Sequence, residues 1–398
     1  MKLSRCHAAH LVLGAFFIAA PLAHPQTLQH PAATSSTVDR GVVGDAPDDP
    51  GPLATGLSPA LNPADIRRAI KKVADWQLRA AEPNFNSQWT FAALYDGLIA
   101  ASAATRDQRY RDAVFAYANR QHWKLLDDRF PHADDMALGQ AYLDLYLADR
   151  PTQRVPAQIA NTKLILDRLM ERPDDPTKDL WWWCDALFMA PPVLTRMSIA
   201  TGDPKYRLFM EREWATTTKS LYDPGHHLYF RDARYLTKKE RNGQPLFWSR
   251  GNGWVMGALA MVLQTLPAAD PLRPQFEQQL RDMAAQVASI QGQDGLWRSG
   301  LLDPDSYPLP EISGSAFFTY AMASGINQHI LDRNQYLPVI ERSWKGILSH
   351  IYADGRLGSI QPIDGQPGIF KPSASYVYGV GGFLLAGSEL ERLSHEKR

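Results

Sequence analysis

Residues 104–110 read ATRDQRY and residues 200–206 read ATGDPKY. Thr, Asp and Gly or Pro in such a stretch end one helix and cap the next. Each copy therefore marks a junction between two helices. The copies stand about two helical-hairpin lengths apart, and self-similarity at such a period signals a repeated supersecondary unit. Outward from these junctions the chain alternates two kinds of helical segment. One kind is amphipathic with a charged face: 65–80, 108–121, 157–172, 205–219, 274–291 and 335–350. The other is richer in small and apolar residues: 89–104, 135–148, 185–200, 251–266, 314–328 and 375–390. A helix apolar nearly all round is buried, and one with a polar face lies outside. Strict alternation gives six hairpins with inner and outer members. The expected fold is all-α, a closed (α/α)6 barrel. Glycines 251, 253, 314, 379, 381 and 382 let the inner helices approach closely. Strand-like runs such as 227–230 are few, so no β-domain is expected.

The 398 residues carry 42 basic and 42 acidic side chains, with 45% hydrophobic residues. A balanced chain of that size buries a substantial core, and it has no global field to attract nucleic acid or a membrane surface. The N-terminus reads as a signal peptide over 1–23: basic Lys2 and Arg5, the apolar run LVLGAFFIAA at 11–20, and Ala23 at a small-residue cleavage site. That predicts a periplasmic or secreted protein with no membrane contact after cleavage. Cys6 falls in the leader, which leaves Cys184 alone and excludes an intrachain disulfide framework. Residues 24–60 are rich in Pro, Gly, Ala, Thr and Asp without periodicity and read as a disordered linker. The barrel is expected over 61–395.

In such a barrel the outer-to-inner loops all open at one end. Here they span 130–134, 179–184, 222–250, 294–313 and 354–374, and each is enriched in Trp, Tyr, His, Asp, Arg or Gly. Function concentrates on loops held by a rigid frame. WWWCDALFM at 181–189 places Asp185 behind three tryptophans. Indoles suit the apolar face of a sugar, and a carboxyl with aromatic walls is suited to general acid work near neutral pH. The competing reading of Asp185 is a helix N-cap. WSRGNGW at 248–254 sets Trp248, Arg250 and Trp254 near one helix start. Arg250 offers a planar fork for a carboxylate, or else braces the barrel mouth by stacking on tryptophan. HADD at 132–135 brings His132, Asp134 and Asp135 to the pocket mouth, as caps or as a catalytic or orienting group. A hairpin at 225–235 carries His226, His227, Arg231 and Asp232, to contact substrate or to order the loop. No HExxH or His-rich spacing points to a metal, and GVGG at 379–382 lies inside a helix rather than after a strand.

WWWCDALFMAPP, FWSRGNGW, HADDMALGQAYLDLY and GVGGFLLAGSEL together resemble the unsaturated rhamnogalacturonyl hydrolases, glycoside hydrolase family 105, and more distantly the unsaturated glucuronyl hydrolases. The resemblance runs from about residue 62 to about 390. It implies the six-hairpin barrel already read from the pattern. It also implies a cofactor-free reaction: hydration of the C4=C5 double bond of an unsaturated uronate at the non-reducing end of lyase-generated oligosaccharides, pectin-derived ones first. On that resemblance Asp185 is the general acid/base and Asp134 orients the ring or the water, with Asp135 its close alternative. Trp183, Trp248 and Trp254 form stacking walls, Arg250 holds hydroxyls or the uronate carboxylate, and Met189 fills the wall below Asp185. The chain departs from the family where a histidine often follows a Leu-Tyr-aromatic run. Arg231 stands there instead, after Leu228–Phe230, which suits a more acidic or sulfated substrate such as an ulvan fragment. Open alternatives are an ordinary carboxylate-pair glycosidase on the same barrel, an unsaturated glycuronyl hydrolase acting on ulvan or glycosaminoglycan fragments, and a sugar-binding protein without turnover. The expected partner is the oligosaccharide alone, with the chain a monomer or homodimer.

Overall fold

A computed structural model describes residues 40–395. The expected leader and residues 24–39 of the expected linker lie outside the described residues. Among the described residues, twelve helices of ten or more residues form two concentric rings. The outer ring holds α1 (Pro63–Ala81), α3 (Gln108–Arg120), α5 (Ala157–Glu171), α7 (Lys205–Leu221), α9 (Arg273–Ser289) and α11 (Arg333–Leu348). The inner ring holds α2 (Trp89–Thr105), α4 (Gly139–Ala148), α6 (Pro191–Thr201), α8 (Ser249–Thr265), α10 (Ile312–Asn327) and α12 (Val377–Leu393). Each inner helix packs on the next, and α12 returns to α2, which closes the barrel. The closing contact depends on missing side chains. A Cβ at Gly97 would lie 2.7 Å from the carbonyl oxygen of Gly381, and one at Gly381 would lie 2.1 Å from that of Ala93.

The burial pattern follows the sequence pattern. α1 buries Ile66, Ile70 and Val73 on one side, and every residue of α10 is buried. The repeated heptapeptides form superimposable junctions. Arg106 and Gly202 both adopt left-handed backbone, at φ 58° and 73°, and end their inner helices. Asp107 and Asp203 then accept hydrogen bonds from the amides of Arg109 and Lys205, at 3.3 and 2.9 Å. Tyr110 and Tyr206 donate to carboxylates of the preceding outer helix, Asp75 at 2.8 Å and Asp167 at 2.7 Å.

Two inner helices start later than the pattern predicts. Pro191 and Pro192 separate a single turn, Ala186–Met189, from α6, because proline cannot donate the amide needed to continue. The segment before α4 is a 3-10 turn, Ala133–Met136. Both breaks fall at the mouth of the barrel and carry the candidate acids.

The larger departure is the linker. Strand β1 (Gly44–Asp45) pairs antiparallel with β4 (Ser375–Tyr376), which leads into α12. Ala54 N–H donates to Ile351 O at 2.7 Å, and Ala353 N–H to Pro52 O at 2.8 Å. Asp45 pairs with Arg356, and Ser373 donates to Pro47 O at 2.6 Å. The part of the expected disordered linker that is described is thus a strap across the last outer-to-inner loop. Its β-pairing and the bonds to residues 351 and 353 run through backbone groups, which amphipathic periodicity does not report. The remaining two strands, β2 (Tyr222–Asp223) and β3 (Leu228–Tyr229), form the hairpin expected near 225–235.

Candidate active site

Asp185 stands at the N-cap position of the single turn Ala186–Met189, at φ −61° and ψ −29°, but its side chain caps no helix amide. The position is that of an N-cap, and the carboxylate is not spent on capping. Its carboxylate, 13% exposed, lies 3.6 Å from Nε of Arg231 and accepts from the Cys184 thiol at 3.5 Å. Burial pushes that thiol up, so Cys184 is a packed, unreactive neighbour. Two backbone links set Arg231 beside Asp185. Cys184 N–H donates to Arg231 O at 2.9 Å, and Trp183 bridges Asp232 antiparallel. The hairpin is held down by Asn252 of α8, which accepts from Tyr229 N–H at 2.7 Å and donates to Tyr229 O at 3.0 Å.

The 3-10 turn supplies a second carboxyl and settles which of two neighbours faces inward. Asp135 is engaged by Arg129, which reaches it through its backbone amide at 2.9 Å, its Nε at 2.9 Å and its Nη2. Asp134 has only looser contacts, with Arg129 Nη1 at 3.6 Å and His132 Nδ1 at 3.5 Å. Burial raises the Asp134 carboxyl to about 7. The Arg129 cation opposes that rise, and the charges of Asp185 and Asp135 add to it. Asp134 is thus the carboxyl of the pair that its surroundings push toward neutrality. His132 is pushed down to about 4 by burial, with Arg129, Lys178 and Arg231 adding to the effect, and stays neutral. Its Nδ1 accepts from the Asp134 amide at 3.4 Å, and its ring lies 4.5 Å from that of Trp183.

The three tryptophans divide. Trp181 is fully buried against Phe209 of α7. Trp183 backs the acids. Trp182 stays partly exposed, packs on Trp183 at 4.8 Å, and carries Arg231 at 5.6 Å and Lys178 at 5.5 Å over its ring. Trp182 is the indole open to a ligand, yet only Trp183 of the run stood among the expected stacking residues.

The second motif departs from its expected binding role. Trp254 is completely buried among Phe188, Phe317 and Trp89. Trp248 is 1% exposed and donates its indole N–H to Gln361 at 2.9 Å. Met189 is buried as well. Arg250 is fully buried, stacked over Trp248 and Tyr378 at 4.5 and 4.9 Å. Its fork donates to the carbonyls of Gln361, Pro362 and Asp364 at 2.7, 2.8 and 3.4 Å. These side chains build the floor and hold the last loop, because an aromatic cluster and three carbonyls enclose the guanidinium. The bracing alternative describes Arg250; the free fork does not. His227 is also displaced from its expected place. It occupies the hairpin turn at φ 52°, where its Nδ1 meets the Tyr222 hydroxyl at 3.0 Å.

An all-helical double ring with two carboxyls and an arginine at one mouth has the form of a carbohydrate-cleaving barrel. The chain belongs to glycosyl hydrolase family 88, whose model matches residues 66–394, and it is a glycoside hydrolase. It is 37% identical over 352 residues to an unsaturated 3S-rhamnoglycuronyl hydrolase of Formosa agariphila, covering 84% of this chain and 92% of that protein. A solved glycosyl hydrolase family 88 structure from Bacteroides vulgatus superposes with TM-score 0.78 at 30% identity, covering 83% of this chain and 99% of that one. A solved possible member of family 105 from Salmonella enterica superposes at 0.68 and 20% identity, covering 83% and 94%, and speaks to the fold alone.

Proposed function

We propose that the protein hydrolyses oligosaccharides carrying a Δ4,5-unsaturated uronate at the non-reducing end, releasing that uronate by hydration of its double bond. The reading rests on one arrangement: two carboxyls at one mouth, Asp185 at 3.6 Å from Arg231 and Asp134, which burial raises to about 7. The proton held by the Asp134–Asp185 pair is delivered to C4 through Asp185, and water adds at C5, giving up a proton to the same carboxylate. The C5 hemiketal then opens to a ketone as its ring C5–O bond breaks. The hydroxyl left on C1 makes a hemiacetal, whose collapse to an aldehyde expels the second sugar as its alcohol. Asp134, with its proton, orients the ring or the water, and Trp183 and Trp182 give the sugars apolar faces.

The sugar next to the uronate is read as a rhamnose, and a sulfated one. The Formosa relative's name specifies a 3S-rhamnoglycuronyl substrate. That reading displaces the pectin-derived disaccharide as first choice. The apolar leader-like run supports export. The test is the loss of the near-ultraviolet absorbance of the unsaturated uronate, followed on unsaturated glucuronyl-rhamnose with and without 3-sulfate, on unsaturated galacturonyl-rhamnose, and on a saturated glucuronide. Turnover of the unsaturated compounds alone is expected. Turnover of the saturated glucuronide at a comparable rate would establish the ordinary carboxylate-pair mechanism instead.

A further inference from the structure

An unsaturated uronate brings its own carboxylate, and a buried mouth must supply a cation for it. Arg129 is committed to Asp135 through its backbone amide, Nε and Nη2. That leaves Arg231 and Arg250, and their hydrogen bonds separate these two. Arg250 has its terminal nitrogens on three loop carbonyls and no exposed surface. Arg231 uses only Nη1, which donates to Asp232 at 2.6 Å. Among the described residues its Nε and Nη2 have no hydrogen-bond partner, and Nε is itself buried. These two nitrogens form the edge of the guanidinium that pairs side-on with a carboxylate through two parallel hydrogen bonds.

Three further features aim that edge at the reaction. Nε lies 3.6 Å from Asp185 Oδ2, in reach of its charge but beyond a hydrogen bond. The guanidinium rests over Trp182, the partly exposed indole. The last loop passes Arg231 at Gly365, where a Cβ would lie 3.3, 3.4 and 3.7 Å from Nε, Cζ and Nη2. A side chain there would crowd the half of the guanidinium that is free.

We propose that Arg231, and not Arg250, receives the uronate carboxylate through its Nε–Nη2 edge, and that the missing side chain at Gly365 keeps this half open. This rests on the reading of the substrate as an unsaturated uronate. In such a sugar the carboxyl carbon, C5 and C4 are consecutive atoms. A carboxylate held beside Asp185 therefore brings C4 to the acid, so the anchor also positions the reacting carbon.

The test compares an unsaturated glucuronyl-rhamnose disaccharide with its uronate methyl ester, which keeps the double bond and loses the charge. The wild type is expected to favour the free acid in kcat/KM by about 10- to 100-fold, the range of a charge-assisted pair. Arg231→Gln brings that ratio close to one, Arg231→Lys recovers part of it, and Gly365→Ala lowers it several-fold. Gly365→Ala keeps every charge of the site, so it reads the proposal even if Arg231→Gln folds poorly. A ratio near one in the wild type, or one unchanged in Arg231→Gln and Gly365→Ala, overturns the assignment while the hydrolysis itself stands. Turnover of neither compound by the wild type overturns the reading of the substrate, and this inference with it.

Discussion

Arg250 and Arg231 are each stacked over a tryptophan, yet they belong to different parts of the machine. Arg250 rises from α8 into an enclosure of aromatic rings and backbone carbonyls, and it shares Gln361 with Trp248 and Tyr378. Arg231 stands on a short hairpin with one nitrogen engaged and an edge left open. The first has the contacts of a strut and the second those of a ligand-binding group. Charge and aromatic neighbours do not tell them apart, but occupied donors do.

The largest effect expected on the site side is at Asp185. Asp185→Asn should lower kcat by about 1000-fold with a retained melting transition, within the range for losing a general acid or base. Retention of full activity would remove Asp185 from the reaction. On the frame side, Arg250→Met leaves the carbonyls of Pro362 and Asp364 without this donor, while Gln361 O keeps Tyr378, and should cost about 3 kcal/mol of stability, read from a denaturant midpoint. Arg231→Met should cost about 1 kcal/mol or less in the same titration, since Asp232 keeps Arg234 at 2.9 Å. Equal losses would break the distinction between the two arginines.

Asp134 offers a smaller effect with a definite sign. Its folded carboxyl is raised from 3.8 to about 7, so the native state holds a proton that the unfolded chain has released. Its stabilising contribution is complete below about pH 4 and is lost as pH rises to about 7. Asp134→Asn should therefore flatten stability across that window, in urea titrations at pH 5 and 8. It should also shift the alkaline limb of kcat/KM that falls through pH 7 in the wild type. An unmoved limb would assign that ionisation elsewhere. The smallest effect is expected at an inner-to-outer junction, past the far end of α6 from the acids. Tyr206→Phe loses the bond to Asp167 and should cost about 1 kcal/mol by thermal melting, with kcat intact.

Much of the frame was legible because its signals are local. The two heptapeptides carry helix stop, cap and tyrosine tether within seven positions, and burial follows the alternation of helix types. The partition of Asp134 and Asp135 was nearly legible too, since Arg129 stands only six positions before Asp135. Arg250 was not, because its partners lie 111 to 114 positions ahead in a loop without periodicity. The tryptophans misled for a related reason. An indole that backs a pocket and one that fills a core give the same sequence signal, and only the packing against Phe188 and Phe317 assigns Trp254 to the core. The strap escaped notice because its bonds to residues 351, 353 and 376 are made by main-chain groups that no side-chain pattern announces.

The strap also bears on how the chain reaches its fold. β1 has no strand to pair with until β4 exists, and α2 has no ring neighbour on one side until α12 exists. A chain emerging from the ribosome therefore carries an open arc of hairpins, with inner apolar faces bare at both ends, until its last few dozen residues appear. Such surfaces attract chaperones and aggregate when left waiting. Truncation after α11 should accordingly yield an insoluble product rather than a smaller working barrel.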